Sequence, residues 1–234
     1  MKKLGNTNEI EISYFNNLQD PHLIRHNVFG FLLIFMDIIC VIPIVGDPFS
    51  PQFFWASIIP IVLINLWGVL YIVAPYKFER SYYLFFGTLG IVNTYVYFIV
   101  IQKFLYIHIG VEGSIFFIMG LVLVILLLVF FQIFNMKMLH SGKYAKLQKN
   151  EWKLNVNPII VASSCGYIIA QVIMSVFVTE SVKWIVLIMA ISGLSIVSAY
   201  FSTYIHKFFY IRKNYEIVKK VYPEFGLSKN NRKS

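Results

Sequence analysis

Chemistry-bearing residues are scarce in this sequence. Its two cysteines, Cys40 and Cys165, each lie inside a hydrophobic run. There they read as small apolar side chains rather than as halves of a disulfide. No CxxC, HExxH, GxSxG or Walker A sequence occurs, and no acidic cluster could hold Mg²⁺ against a phosphorylated substrate. The connecting segments are too short to form a nucleotide-binding domain. These absences lead us to expect a non-enzymatic protein with no metal and no other cofactor. Charge is scarce too, at 13% Asp, Glu, Lys and Arg, about half the usual share in a soluble domain.

Hydrophobic residues make up 58% of the 234 residues, and the mean hydropathy is +0.70. A helix crosses a bilayer with roughly 20 mostly apolar residues. Six segments satisfy that length: 28–46, 53–75, 83–101, 115–135, 157–178 and 184–206. The expected fold is an all-α integral membrane protein, a six-transmembrane-helix bundle. It divides into a segment at 1–27, a membrane domain at 28–206 and a basic tail at 207–234. The first 27 residues are polar, whereas a secretory signal places its apolar stretch nearer the start. The first hydrophobic segment is therefore expected to be retained as a helix.

Positive charge sets the orientation. Of the 20 Lys and Arg, all but Lys103 and Lys183 fall on the side of the termini. By the positive-inside rule both termini are expected in the cytoplasm, at the cell membrane. The net charge of +9 then reads as topology and contact with anionic headgroups, not as nucleic-acid binding. Trp55 and Trp184 fall at the outer boundary, and Tyr76, Tyr82 and Trp152 at or near the inner one. Usage rich in Lys, Asn, Ile, Phe and Tyr suggests an AT-rich, bacterial source.

On the inner face, Lys143, Lys146, Lys149, Arg212, Lys213, Lys219 and Lys220 are candidates for lipid or partner contact. In the tail, Phe208, Ile211, Tyr215, Val218 and Tyr222 recur at steps of three and four, ending at Pro223. That stripe predicts a short amphipathic cytoplasmic helix. It would continue span six, lie on the inner leaflet, or dock a partner or an identical subunit. His140 reads as a polar surface residue and His206 as an interfacial one. His22 and His26 are four apart but lack a third metal ligand.

Within the membrane, five spans bring polar side chains to similar depth: Asp37, Asn65, Asn93, Gln171, and Ser192, Ser195 and Ser198. An acid at mid-bilayer is expensive and usually faces a bundle interior or a wet cavity, so Asp37 is expected to point inward. Two readings of this layer stay open. It is interhelical glue, or it lines a path for a proton, cation or solute, as midplane transporter sites do. Pro43 and Pro60 are placed to loosen nearby carbonyls. Small residues mark close helix contacts at Gly87 and Gly90, and along Ser192, Ser195, Ala199 and Ser202. Span four is bulky nearly all round and reads as lipid-facing. The function expected by elimination is binding a partner in or at the membrane. The protein would be an immunity factor against a membrane-active toxin, or an accessory subunit of a secretion or transport complex. The alternative is a small transporter or channel using Asp37.

Overall fold

The computed structural model describes residues 14–15, 18–144 and 179–232. The described chain is helical, and no strand occurs among these residues. Helix α1 spans Pro21–Val45, α2 Pro51–Val73, α3 Pro75–Ile109 and α4 Ile115–His140. Then follow α5 at Glu180–Phe201, α6 at Tyr204–Lys213 and α7 at Tyr215–Val221. Five helical stretches are long and apolar enough to cross a membrane, α5 and α6 together forming the fifth. The expected span at 157–178 lies outside the described residues, with Gln171 and Cys165. So do Lys146, Lys149 and Trp152.

Local chemistry fixes the helix starts. Proline stands at the first turn of α1, α2 and α3, where its missing N–H costs nothing and its φ is already helical. Asp20 caps α1, which begins seven residues before the apolar run at 28–46. The connection between α3 and α4 turns at Gly110 and Gly113, with φ of +80° and +84°, a conformation open to glycine.

The third helix is the hub of the bundle. Two-thirds of its most apolar window is buried, and it packs against α1, α2, α4, α5 and α6. Its closest approach is to the α5–α6 junction. A Cβ on Gly90 would lie 2.7 Å from Ser198 O and 2.8 Å from Ser202 N, and one on Gly87 would lie 2.6 Å from Ile205 N. Glycine is thus what lets the two backbones touch. Ser195, Ser198, Ala199 and Ser202 are buried in this seam. The regular helix is interrupted there at Ser202 and Thr203, whose hydroxyls donate to the carbonyls of Ala199 and Tyr200, at 2.6 and 2.8 Å. Such bonds to a preceding turn bend helices. Helix α4 sits at the other extreme, with no residue of its apolar window buried.

The tail belongs to the bundle instead of lying apart from it. Ile211, Val218 and Phe225 join one core cluster with Phe15, Tyr82 and Tyr83. The stripe read from the sequence is real, but Ile211 and Val218 on it are covered by the protein's own core. Asn214 breaks the pattern into two helices. Past α7 the chain returns to the 75–81 turn, where buried Glu79 accepts from Gly226 N at 2.7 Å and pairs with Arg232. Packing therefore runs across residue 207 without a boundary.

Candidate functional site

The described polar groups resolve into separate assemblies at different depths. At mid-helix, the Asn65 amide Nδ2 donates to Asp37 Oδ1 at 3.0 Å and to its own helix at Ile61 O, 3.1 Å. Both residues are half-buried, at the seam of α1 and α2. Asp37 also lies in an unusual backbone. Phe31–Val41 winds with i→i+5 bonds, a rare geometry that elsewhere occurs mostly as single-turn bulges within α-helices, frequently at functional sites.

The winding explains where Asp37 points. From Ile24 onward the buried residues of α1 are Ile24, Val28, Leu32, Met36, Cys40 and Ile44, each four apart. At about 100° per residue a regular α-helix would rotate that stripe by about 40° per step. The wider turns reduce the drift and hold Leu32, Met36 and Cys40 on one side. Asp37 follows Met36 by one position, so it flanks the buried stripe. Asn65 likewise follows buried Ile64. Asp37 is therefore half-buried on the shoulder of the helix pair, and the residues that follow it and Asn65 in sequence, Ile38 and Leu66, are 47% and 63% exposed.

The other residues expected at this depth do not join it. Asn93 is buried, and its Oδ1 has no partner among the described residues. The Ser192 hydroxyl donates to Ile188 O at 2.7 Å within its own helix, and Ser195 is buried in the α3 seam. Equal depth did not bring these groups together. Of the cations expected on the inner face, Lys143, Arg212, Lys213, Lys219 and Lys220 are exposed.

Three polar assemblies have weak sequence signals or none. Lys103, fully buried, donates to Pro43 O, Ile44 O and Gly46 O at 2.8, 3.0 and 2.6 Å. It satisfies the carbonyls left open at the end of α1, where the helix dipole favours a cation. At the opposite end, Tyr14, Asn135, Tyr144 and His206 form a chain of hydrogen bonds. Tyr144 OH donates to Asn135 Oδ1 at 2.6 Å, Asn135 Nδ2 donates to the Tyr14 oxygen at 3.1 Å, and Tyr14 lies 3.0 Å from His206 Nδ1. Burial pushes the Tyr144 phenol up to about 12 and raises that of Tyr14 as well. Both hydroxyls therefore keep their protons at neutral pH, and the direction of the Tyr14–His206 bond follows the tautomer of the ring. His206 is thus part of a network, not a lone interfacial residue. The third assembly is the Glu79 clasp on the tail.

His22 and His26 stand with ring centroids 4.7 Å apart on an exposed helix face. Among the described residues no group of three His, Cys, Asp or Glu could hold a metal ion. Fold and site together define a multi-pass helical chain suited to a membrane. Compared with known protein families, with curated proteins and with solved structures, the chain matches none.

Proposed function

We propose that the chain is a six-span protein of the cytoplasmic membrane with both termini inside. It works without catalysis, by binding a partner in or at the membrane. Its role is that of an immunity factor against a membrane-active toxin, or of an accessory subunit of a secretion or transport complex. One observation carries this reading: Asp37 and Asn65 form a hydrogen-bonded pair on the shoulder of α1 and α2, flanked along those helices by exposed Ile34, Ile38, Val62 and Leu66. A polar pair among apolar residues at mid-bilayer is a recognition element for a helix that brings its own polar group. The Lys103 carbonyl cage and the Tyr14–His206 network are closed on the protein's own groups, so neither offers comparable free chemistry.

The test is photo-cross-linking in native membranes from Ile38 and Leu66. A protein adduct of defined mass, weakened by Asp37→Leu, supports the reading. Adducts with lipid alone refute it. The π-helical stretch around Asp37 favours a second reading, in which Asp37 binds a proton or cation in transit. Purified protein in liposomes should then conduct, and Asp37→Asn should stop it. Equal flux in both, or none in either, removes that reading.

A further inference from the structure

We propose that the groove between α2 and α4, floored by α3, is a binding site for one acyl chain of a membrane lipid. Its cavity measures about 840 Å³, within the range of small-molecule pockets. It lies in the half of the bundle that carries the 46–50 and 110–114 connections. Its walls are Phe53 and Ala56 on one side and Phe117 and Leu121 on the other, with Phe98 and Ile99 beneath. No charged side chain lines it.

Hydrogen bonding inside the groove is already complete. Pro60 lacks the N–H that would close the helical bond to Ala56 O, and Tyr95 OH donates to that carbonyl instead, at 3.1 Å. Tyr106 OH donates to Gly113 O at 2.6 Å and accepts from Phe117 N at 3.2 Å. A polar ligand would find no free partner in the depth of the groove. At the rim the chemistry changes, because Ser50, Gln52 and Ser114 stand there. Neither serine hydroxyl caps its own helix. This gradient, from a satisfied apolar depth to neutral donors and acceptors at the mouth, matches a glycerolipid: hydrocarbon below, ester carbonyls above. Three apolar sides give a chain more dispersion contacts than the convex surface of α4 does.

The experiment uses the full chain in vesicles of phosphatidylcholine and phosphatidylglycerol, with a small fraction of phosphatidylcholine carrying a diazirine in one acyl chain. Adducts are mapped by peptide mass spectrometry. Labelling at 53–56 and 117–121 should exceed labelling around Phe130, an exposed position on the same α4, by about fivefold or more. Ala56→Phe and Leu121→Trp, which fill the groove from opposite walls, should each abolish that excess and leave labelling at Phe130 unchanged. Equal labelling at all positions would mean ordinary annular lipid and overturn the proposal. So would modification of Ala56→Cys by a membrane-impermeant maleimide, which would show water in the groove. An Ala56→Cys shielded from that reagent, with no acyl adduct nearby, would show protein covering the groove and also overturn it.

Discussion

The contact between α3 and the α5–α6 junction makes a quantitative prediction at Gly90. Alanine there places a methyl carbon 2.7, 2.8 and 2.9 Å from Ser198 O, Ser202 N and Phe201 C. All three are backbone atoms, so no side chain can rotate away. Relief requires the helices to separate by roughly the difference from ordinary contact at about 3.5–4.0 Å. Inserting a methyl group into a packed core typically costs about 1–3 kcal/mol. Alanine recovers about 1 kcal/mol in helix propensity. Because backbone must move, the upper end applies, and a net loss of about 2 kcal/mol is expected. Gly193 supplies the control, since a Cβ there meets nothing within 4 Å; Gly193→Ala should gain up to about 1 kcal/mol from propensity alone. Unfolding of the purified full chain in mixed detergent micelles measures both. Gly90→Ala at or above wild-type stability, with Gly193→Ala behaving as stated, would refute the close approach of these helices.

Lys103→Met removes the ammonium and leaves three carbonyls at the end of α1 with one donor fewer each. Losing a charged hydrogen-bond partner costs about 1.5–3 kcal/mol, and hydrogen exchange should quicken in the last turn of α1. Unchanged stability and exchange would count against the cage. Glu79→Ala should free the tail, so that trypsin cuts at Lys229 and Arg232 well before the helices are digested; wild-type resistance would show that the clasp does not hold it. Tyr14→Phe deletes the hydroxyl shared by Asn135 and His206 and should cost about 1–2 kcal/mol. Asn135→Ala in the same background should then add less than it does alone, and full additivity would show that the network is not coupled. Tyr95→Phe strands Ala56 O beneath Pro60 and should cost about 1–3 kcal/mol in thermal unfolding.

Helix positions were legible in the sequence because hydrocarbon length and proline punctuation are local properties. Pro51 and Pro75 start helices where the hydropathy profile alone would place their ends within a few residues. The exposure of the α4 apolar window was legible for the same reason, since bulk on every side of a helix needs no knowledge of its neighbours. The tail was read only in part. Its stripe is plain at Ile211 and Val218, but what covers an apolar face is a tertiary fact, and here it is the core around Phe15 and Tyr82. Lys103 was counted only as one outer charge, yet it lies fully buried. Its partners sit about sixty residues earlier, and a lysine seated on helix-end carbonyls has no local signature.

The midplane layer shows why depth alone could not assemble a site. Hydropathy places a residue along the membrane normal and says nothing of its angle around the helix. For α2 the angle was recoverable: buried Ser57, Ile61, Ile64, Gly68 and Tyr71 alternate steps of four and three, the ordinary helical period. Asn65 then falls beside that stripe. For α1 the ordinary period misleads, because the buried residues recur every four positions through a stretch wound more widely than an α-helix. Projected at about 100° per residue, Ile24 and Ile44 would lie on nearly opposite faces, and no single inward side could be drawn for Asp37. For α3 the question has no answer, since Asn93 sits in a helix buried on most sides. The meeting of Asp37 with Asn65 follows from both lying one residue past the buried stripes of adjacent helices. The serines of α5 are held apart from them by the Gly90 contact, which turns that face toward α3.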